Sequence, residues 1–336
     1  MKSTVAVVAI VTCCNDVNVI DRTIESIRNQ EFPRERLYIV AVDFGSTDGT
    51  YEKLLSYDRY HLGVYQVKEK IRPEQYQAKG ALYASRVATN DVKYYFLLRA
   101  GDTVAPEIAA YCSTLMEEHK AISPVMTICE ADVENEDGSI SKALPLFNRA
   151  FVIDGMKSPM EYVSRGYSHR VFCFGYLPSM DITYRGFVPN DRTRWNNLFY
   201  PNYRRNSLYI PKTMATLLER PADDAVFNLA STYAMLLFYI RHTQNLYEDA
   251  LGETAYRKAI ENFAHYALYN ACLESNKGNK KQAEDCLLLS TVIDPDVITD
   301  KLYTDTVAYI SGNAPVPERE TDLTLPPPAG SEIIDI

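Results

Sequence analysis

"TVAVVAIVTCCND" (residues 4–16) and "LYIVAVDFGSTDGT" (residues 37–50) share one pattern, in which a run of apolar, mostly β-branched residues ends in a polar turn. Such uninterrupted apolar runs are typical of strands that are covered on both faces of a parallel sheet. Between the two runs, apolar side chains recur at helical spacing at Val19, Ile20, Ile24 and Ile27. A strand, a helix and a strand in this order predict a βαβ unit.

The same alternation continues to about residue 100. Further strands are predicted over 63–69 and 93–100, and helices over 49–60 and 76–89. In open sheets of this kind, ligands bind beyond the carboxyl ends of the strands. The polar residues 12–15, 43–48 and 99–102 are therefore predicted to meet at one edge of a mostly parallel sheet and to form a binding site there.

Composition narrows the class of protein. The chain has 336 residues, 46% hydrophobic and 24% charged, which is typical of a globular protein. The seven cysteines are scattered without metal-binding spacing, which favours reduced thiols and a cytoplasmic location over a zinc site. The longest apolar run, "YAMLLFYI" (233–240), is too short to cross a bilayer, so no transmembrane segment is expected, and peripheral membrane association stays open.

Charge is distributed unevenly along the chain. The net charge is −9, yet residues 149–220 contain eleven Lys and Arg against five Asp and Glu, interleaved with aromatic residues. This pattern fits either a surface for an anionic ligand or a solvated loop region. Residues 150–222 are otherwise predicted to be irregular. Helices are predicted over 223–244, 253–279 and 280–293, the last two as a hairpin similar to one tetratricopeptide unit.

Three motifs together resemble the inverting GT-A glycosyltransferases of family 2. The first combines Asn15 at a strand tip, the spacing from Ser26 to Gln30, and the turn 43–48. The second is "KGALYASRVATNDVKYYFLLRAGD" (79–102), and the third is "ERPADDAVF" (219–227). The resemblance covers about residues 4–230. It implies an α/β fold of the GT-A (Rossmann-like) type with a mostly parallel central sheet.

The resemblance also implies a domain organisation. Residues 1–245 would form the GT-A domain, with a nucleotide-sugar half (1–110) and an acceptor half (111–245). Residues 246–312 would form a C-terminal helical extension. Residues 313–336 are rich in proline and acidic residues and are expected to be a disordered tail.

The implied activity is transfer of a sugar, with inversion, from a nucleotide-diphosphate donor to an acceptor hydroxyl. The resemblance favours a UDP-sugar donor and a carbohydrate or glycolipid acceptor, as in surface polysaccharide or glycoconjugate synthesis. Two alternatives stay open: glycosylation of hydroxylated bases in DNA by a phage-type enzyme, which the basic segment favours, and a catalytically inactive GT-A-like binding or scaffold subunit. The second is considered because Phe44 and Arg99 stand where the family usually has acids.

Donor and metal contacts are assigned by the same resemblance. Asp102 corresponds to the last acid of the family's metal-binding motif and would hold Mn²⁺ or Mg²⁺; alternatively it caps a helix that starts near Thr103. Arg99 would contact the diphosphate or form a surface ion pair. The other donor-binding candidates are Thr12, Cys13, Asn15, Asp43, Asp48 and Lys79. For Asp48, capping of the next helix is the stronger alternative.

The acceptor side carries the remaining candidates. An inverting transfer needs a carboxylate that takes the proton of the acceptor hydroxyl, and Asp224 is the candidate, with Asp223 as its neighbour. Both could instead serve as cap and first-turn residues of the helix that follows. Aromatic rings and arginines bind sugars and phosphates, so Trp195, Arg204 and Arg205 are predicted to contact the acceptor.

Overall fold

The computed structural model describes residues 6–68, 76–87, 91–142, 145, 147–154, 171–177, 205–219 and 278–315, with parts of 260–276 and of 324–336. The first hundred residues alternate strands and helices as predicted. The elements are β1 (Ala6–Cys13), α1 (Ile20–Arg28), β2 (Leu37–Asp43), α2 (Thr50–Ser56), β3 (Leu62–Gln66), α3 (Tyr76–Val87) and β4 (Val92–Arg99).

The rest of the described chain adds strands to the same sheet and helices near the C-terminus. These elements are β5 (Thr103–Val104), α4 (Ile108–Glu118), β6 (Met126–Glu134), β7 (Ile140–Ser141), β8 (Phe151–Ile153), β9 (Val171–Tyr176), β10 (Ser207–Leu218), α5 (Lys280–Ile293) and α6 (Lys301–Ile310). The predicted helix 280–293 is present. The described residues between 260 and 276 are largely helical, within the predicted helix 253–279.

The expectation that residues 150–222 are irregular is wrong for the described part of this segment, which contributes β8, β9 and β10. Strand β10 pairs in parallel with β6 from Leu208 to Leu218. Pro211 interrupts the apolar run, and the register shifts between Ile210 and Thr213. Proline cannot donate to the ladder, so this irregularity is where a long strand can accommodate it.

Ten strands of the described residues form one sheet, in the order β3-β2-β1-β4-β9-β6-β10-β5, with β7 beside β6 and β8 beside β10. Strands β3, β2, β1 and β4 are parallel. In their register Cys13 lies opposite Asp43, and Thr12 lies opposite Arg99. The carboxyl ends of β1, β2 and β4 are therefore adjacent, as predicted.

Both faces of the sheet are covered, which explains the uninterrupted apolar run of β1. Val7, Ala9 and Val11 pack in one cluster with Ile20 and Ile24 of α1. On the other face, Val8 and Ile10 of β1 pack in a second cluster with the small residues Ala81 and Ala84 of α3. The β2 residues Val40 and Val42 belong to the same cluster. Every residue of β1 is buried for this reason.

The chain forms two compact units. The first comprises Met1–Gly155, Arg170–Asp223 and Leu325–Ile336, and the second comprises Met156–His169 and Asp224–Thr324. The expected disorder of the tail does not hold for its end, because Ile334 N–H donates to Ala150 C=O (3.0 Å) and Val152 N–H donates to Glu332 C=O (2.8 Å). The side chain of Ile334 is buried, and its neighbour Ile333 forms an antiparallel bridge with Phe151 of β8. Within the described residues, no helix combines the length and the apolar character needed to span a bilayer.

Candidate active site at the strand ends

The carboxyl ends of β1, β2 and β4 and the loops that follow them form what we call the strand-end site, residues 12–17, 43–50 and 99–102. Their backbones are bonded to one another: Phe44 N–H donates to Cys13 C=O, and Ala100 N–H donates to Thr12 C=O, both at 2.9 Å. Thr12 and Cys13 are 2% and 1% exposed. These two donor-binding candidates therefore form the floor of the site, and the carbonyl of each already accepts a hydrogen bond.

Asp43 closes the turn after β2. Its side chain is fully buried and accepts hydrogen bonds from the amides of Gly45 (3.2 Å) and Ser46 (3.1 Å), from the Ser46 hydroxyl and from Gln66 Nε2 (3.3 Å). Burial first, and then the negative charge of Asp43, raise the pKa of the Cys13 thiol far above its ordinary value. Asp43 thus shapes the loop. Its predicted contact with the nucleotide stays a prediction, for which the side chain would have to become accessible.

Asn15 and Asp48 join the loop after β1 to the loop after β2. Asn15 has a φ of 58°, and its Oδ1 accepts a hydrogen bond from the Thr47 amide at 2.8 Å. Oδ2 of Asp48 accepts from the Val17 amide at 3.0 Å, and Oδ1 accepts from the Thr50 amide at 3.0 Å, where α2 begins. The cap position of α2 is Gly49, and Asp48 bonds the first helical residue from one position before it. Asn15 and Asp48 therefore hold the two loops in place.

Replacing Asp48 by alanine is expected to lower the free energy of unfolding by about 1 kcal/mol, because the Val17 and Thr50 amides lose their acceptor. Burial raises the pKa of Asp48, but hydrogen bonds from Thr50 and Val17 outweigh it and hold that pKa below its ordinary value. The stabilisation from Asp48 is therefore complete above its pKa in the unfolded chain, about 3.9. It is lost as the pH falls through the lower pKa of Asp48 in the folded protein.

Urea unfolding of the wild type, Asp48→Ala and Asp48→Asn between pH 7 and pH 3 measures this effect. The gap between the wild type and either variant should narrow at the acidic end. Asp48→Asn serves as the control, because it keeps one acceptor oxygen but cannot titrate. A gap that widens towards acid would contradict the assigned role.

Asp102 joins the end of β4 to the end of β10. Its Oδ2 accepts from the Arg99 amide at 3.0 Å and its Oδ1 from the Leu218 amide at 2.9 Å, and it is 6% exposed. Thr23 completes the turn, because its hydroxyl accepts from the Gly101 amide (2.8 Å) and donates to Asp102 C=O (2.7 Å). The helix-cap alternative is wrong, since Thr103–Val104 is a strand and the next helix begins at Ile108.

A second contact holds the end of β10. Glu219 N–H donates to Glu134 C=O at 2.8 Å, so the strand is fixed at two successive residues. The Glu134 carboxylate in turn pairs with the Arg22 guanidinium of α1. That hydrogen bond holds the pKa of Glu134 below its ordinary value. Helix α1, β4, β6 and β10 therefore meet at one rigid corner beside the strand-end site.

The carboxylates of the strand-end site do not fit a divalent cation. Asp16 accepts from the Cys14 amide at 2.8 Å, and Asp43, Asp48 and Asp102 each accept two or more hydrogen bonds, as given above. Across the described residues, no three His, Cys, Asp or Glu side chains come together as a possible metal site. Mn²⁺ and Mg²⁺ require accessible oxygen ligands. The prediction that Asp102 binds the metal therefore disagrees with its geometry, because its oxygens hold two strands together.

The face of the site that α3 covers carries cationic and aromatic side chains instead. Arg99 and Lys79 are both partly exposed. Burial and a hydrogen bond with Cys14 raise the pKa of Tyr76, and the charge of nearby Arg99 opposes this rise. The rings of Phe44 and Tyr76 stack with their centroids 4.4 Å apart and their planes 6° apart. Sequence reasoning did not select Tyr76; an aromatic Phe44 in place of an acid was the available signal.

Helix α3 approaches β1 very closely at this point. A Cβ atom on Gly80 would lie 2.5 Å from Cγ2 of Thr12, so a glycine is required where the helix crosses the end of the strand. This contact places Tyr76 and Lys79, one turn or less before Gly80, beside the carboxyl ends of the strands.

Of the acceptor-side candidates, only Arg205 lies within the described residues. Arg205 lies next to Ser207, where β10 begins, and its neighbour Asn206 pairs with Val125 and Ile122 at the amino end of β6. It is a whole twelve-residue strand, roughly 35–40 Å, from Leu218 at the strand-end site. Arg205 therefore lies far from the strand-end site, and its predicted contact with the acceptor stays a prediction. The other acceptor-side candidates lie outside the described residues: Trp195, Arg204, Asp223 and Asp224.

Comparisons with known proteins agree with this architecture. Residues 8–128 match the model of glycosyl transferase family 2. TarS 1–349 of S. aureus in complex with UDP-GlcNAc superimposes with a TM-score of 0.60 at 15% identity, covering 92% of this chain and 88% of that chain. The same protein with UDP gives a TM-score of 0.50 at 16% identity, covering 98% of each chain.

The mannosyltransferase PcManGT of Pyrobaculum calidifontis, in complex with GDP-Man and Mn²⁺, reaches a TM-score of 0.43 at 16% identity, covering 91% of this chain and 85% of that chain, a likeness too weak to argue from. No curated protein matches the sequence. The family match spans β1 to β6, which includes the whole strand-end site. The chain thus has the GT-A fold, and its residues 8–128 are similar to the family 2 glycosyltransferases.

Proposed function

We propose that this protein transfers a sugar from a nucleoside-diphosphate donor to an acceptor hydroxyl with inversion at the anomeric carbon. The observation that carries the proposal is the register that brings the ends of β1, β2 and β4 together within the matched family segment. TarS, which shares the fold, was solved with UDP-GlcNAc and with UDP, so UDP-sugars are the first donors to test. The acceptor class that we propose is a carbohydrate or a glycolipid.

The proposed reaction is a single displacement. The acceptor oxygen attacks the anomeric carbon while the bond from that carbon to the diphosphate breaks, and a carboxylate takes the hydroxyl proton. Asp224 is the proposed base, with Asp223 as the competing assignment. Tyr76 is partly exposed and its ring stacks on the buried ring of Phe44, so it offers an aromatic surface for the nucleobase, and Lys79 and Arg99 offer positive charge for the diphosphate.

A panel of UDP-, GDP-, dTDP- and ADP-sugars tests the proposal. Release of nucleoside diphosphate is measured with and without oligosaccharide and glycolipid acceptors, in EDTA and in MnCl₂. We expect one donor class to turn over and the product to have the opposite anomeric configuration by NMR. A product that keeps the donor's configuration would contradict inversion.

The same experiment separates the alternatives. If no nucleotide sugar is consumed and none raises the melting temperature, the catalytic proposal fails and a scaffold role takes its place. If hydroxylated DNA alone accepts the sugar, and binding weakens steeply with salt, the acceptor is nucleic acid, because phosphate contacts release counterions.

A further inference from the structure

We infer that the strand-end site binds the donor diphosphate without a divalent cation, with Arg99 supplying the positive charge and Asp102 acting as a positioning residue. The inference rests on the proposed function. It departs from the metal requirement that the family resemblance implied, and it begins from the hydrogen bonds of Asp102.

Asp102 is committed to the fold. One carboxylate oxygen accepts from the Arg99 amide within the turn, and the other accepts from the Leu218 amide on β10. To coordinate a cation, this buried carboxylate would have to break or share its hydrogen bonds with the two amides. The backbone N–H groups would then be left unsatisfied. The carboxylate therefore fixes the turn that presents Arg99 and fixes β10, from which the chain continues towards Asp223 and Asp224.

Among the described residues, no group of three possible ligands surrounds Asp102. Gly101 has no side chain, and its φ of +97° disfavours any other residue there. A Cβ at this position would lie 2.5 Å from Cδ2 of Leu218, so the space is already filled. The acids of the neighbouring loops hold those loops in place, as described for Asp43 and Asp48.

Arg99 has the chemistry to replace the cation. It is the last residue of β4, opposite Thr12 on the central strand, and it is partly exposed. A guanidinium presents several N–H donors in a fixed plane, which matches the oxygens of a phosphate or a diphosphate. Arg99 pairs with Thr12, and α3 crosses Thr12 at Gly80, one turn after Tyr76, whose ring stacks on Phe44. Arg99 and the aromatic pair therefore lie at the same edge of the sheet. A diphosphate attached to a base on that pair would come within reach of Arg99.

Isothermal titration of the full chain with UDP, GDP and UMP tests the inference. Each titration is done in EDTA and in MnCl₂, with the wild type, Arg99→Ala, Arg99→Lys and Arg34→Ala. Arg34 is the matched control, because it is an exposed arginine just before the amino end of β2, at the opposite end of the strands. The expected Kd for the diphosphate differs by less than about threefold between the two buffers.

Arg99→Ala is expected to raise the Kd of the diphosphate by at least about tenfold, because one charge-assisted contact is lost. The Kd of UMP should rise by less. Arg99→Lys should recover part of the affinity, and Arg34→Ala should leave it unchanged. If the diphosphate binds only with Mn²⁺, the inference is overturned while the proposed function stands. If Arg99→Ala binds like the wild type, the role of Arg99 is wrong. If neither diphosphate binds in either buffer, the proposed function itself fails.

Asp102→Asn gives an independent readout. If Asp102 is a positioning residue, this variant should have a lower melting temperature than the wild type. The ratio of the diphosphate Kd in EDTA to that in MnCl₂ should not change. Electron paramagnetic resonance of Mn²⁺ mixed with the protein alone should show no bound ion in the wild type or in the variant. Bound Mn²⁺ in the wild type that disappears in Asp102→Asn would overturn the inference. If this variant does not fold, the Arg99 titrations still decide.

Discussion

Replacing Gly101 by alanine is expected to destabilise the protein by about 2–4 kcal/mol. A φ of +97° is strained for any L-residue, which accounts for about 1 kcal/mol. The added Cβ would also lie 2.5 Å from Cδ2 and 3.3 Å from Cβ of Leu218, and overpacking of this kind costs about 1–3 kcal/mol more. Urea unfolding followed by circular dichroism measures the change.

Gly138→Ala is the matched control for Gly101. Gly138 has a φ of +80°, and a Cβ there would meet nothing within 4 Å, so only the backbone strain should appear. Leu218→Ala in the Gly101→Ala background should recover part of the loss, because it removes the atoms in the way. If Gly101→Ala costs no more than Gly138→Ala, the close packing of the β4 turn against β10 is wrong.

Asp224→Asn is expected to lower kcat for sugar transfer by about 10²–10⁴-fold, the usual contribution of a general base. The substitution keeps the size of the side chain and removes its ability to take the acceptor proton. Binding of the donor should be unchanged, because the proposed donor contacts come from the strand-end site. Initial rates at saturating acceptor, with titration of the donor product, separate the two effects.

Asp223→Asn is the natural comparison, since the two acids are adjacent in sequence. A large loss in Asp223→Asn with little change in Asp224→Asn would exchange the two assignments. If both variants turn over like the wild type, neither residue is the base, and the single-displacement mechanism needs another carboxylate.

The first half of the sheet could be predicted from local pattern alone. Strand β1 is apolar at every position because α1 and α3 cover its two faces, and that run is visible without any partner. Strand β10 could not be predicted in this way. Its apolar run is broken at Pro211, and what stabilises it is pairing with β6, about 80 residues earlier in the chain. The disorder predicted for the tail rested on its composition. Composition does not show that the side chain of Ile334 is buried beside β8.

The location of the site was predictable, whereas the roles of its residues were less so. Parallel strands must end at the same edge, so residues 12–15, 43–48 and 99–102 could be brought together from the sequence. The role of Asp102 depends on Leu218, which is 116 residues away, and no local pattern reveals that partner. Arg205 was selected by composition, and composition does not show that β10 begins just after Arg205 and ends beside Asp102.

The two hydrogen bonds of Asp102 should form at different stages of folding. Asp102 and Arg99 are three positions apart in the sequence, whereas Asp102 and Leu218 are 116 apart. Closing a loop costs chain entropy that grows with its length, and distant pairings slow folding. The bond to the Arg99 amide can form as soon as β4 turns, but the bond to the Leu218 amide must wait for β10. The turn after β4 can therefore form before the hydrogen bond that ties it to the end of β10.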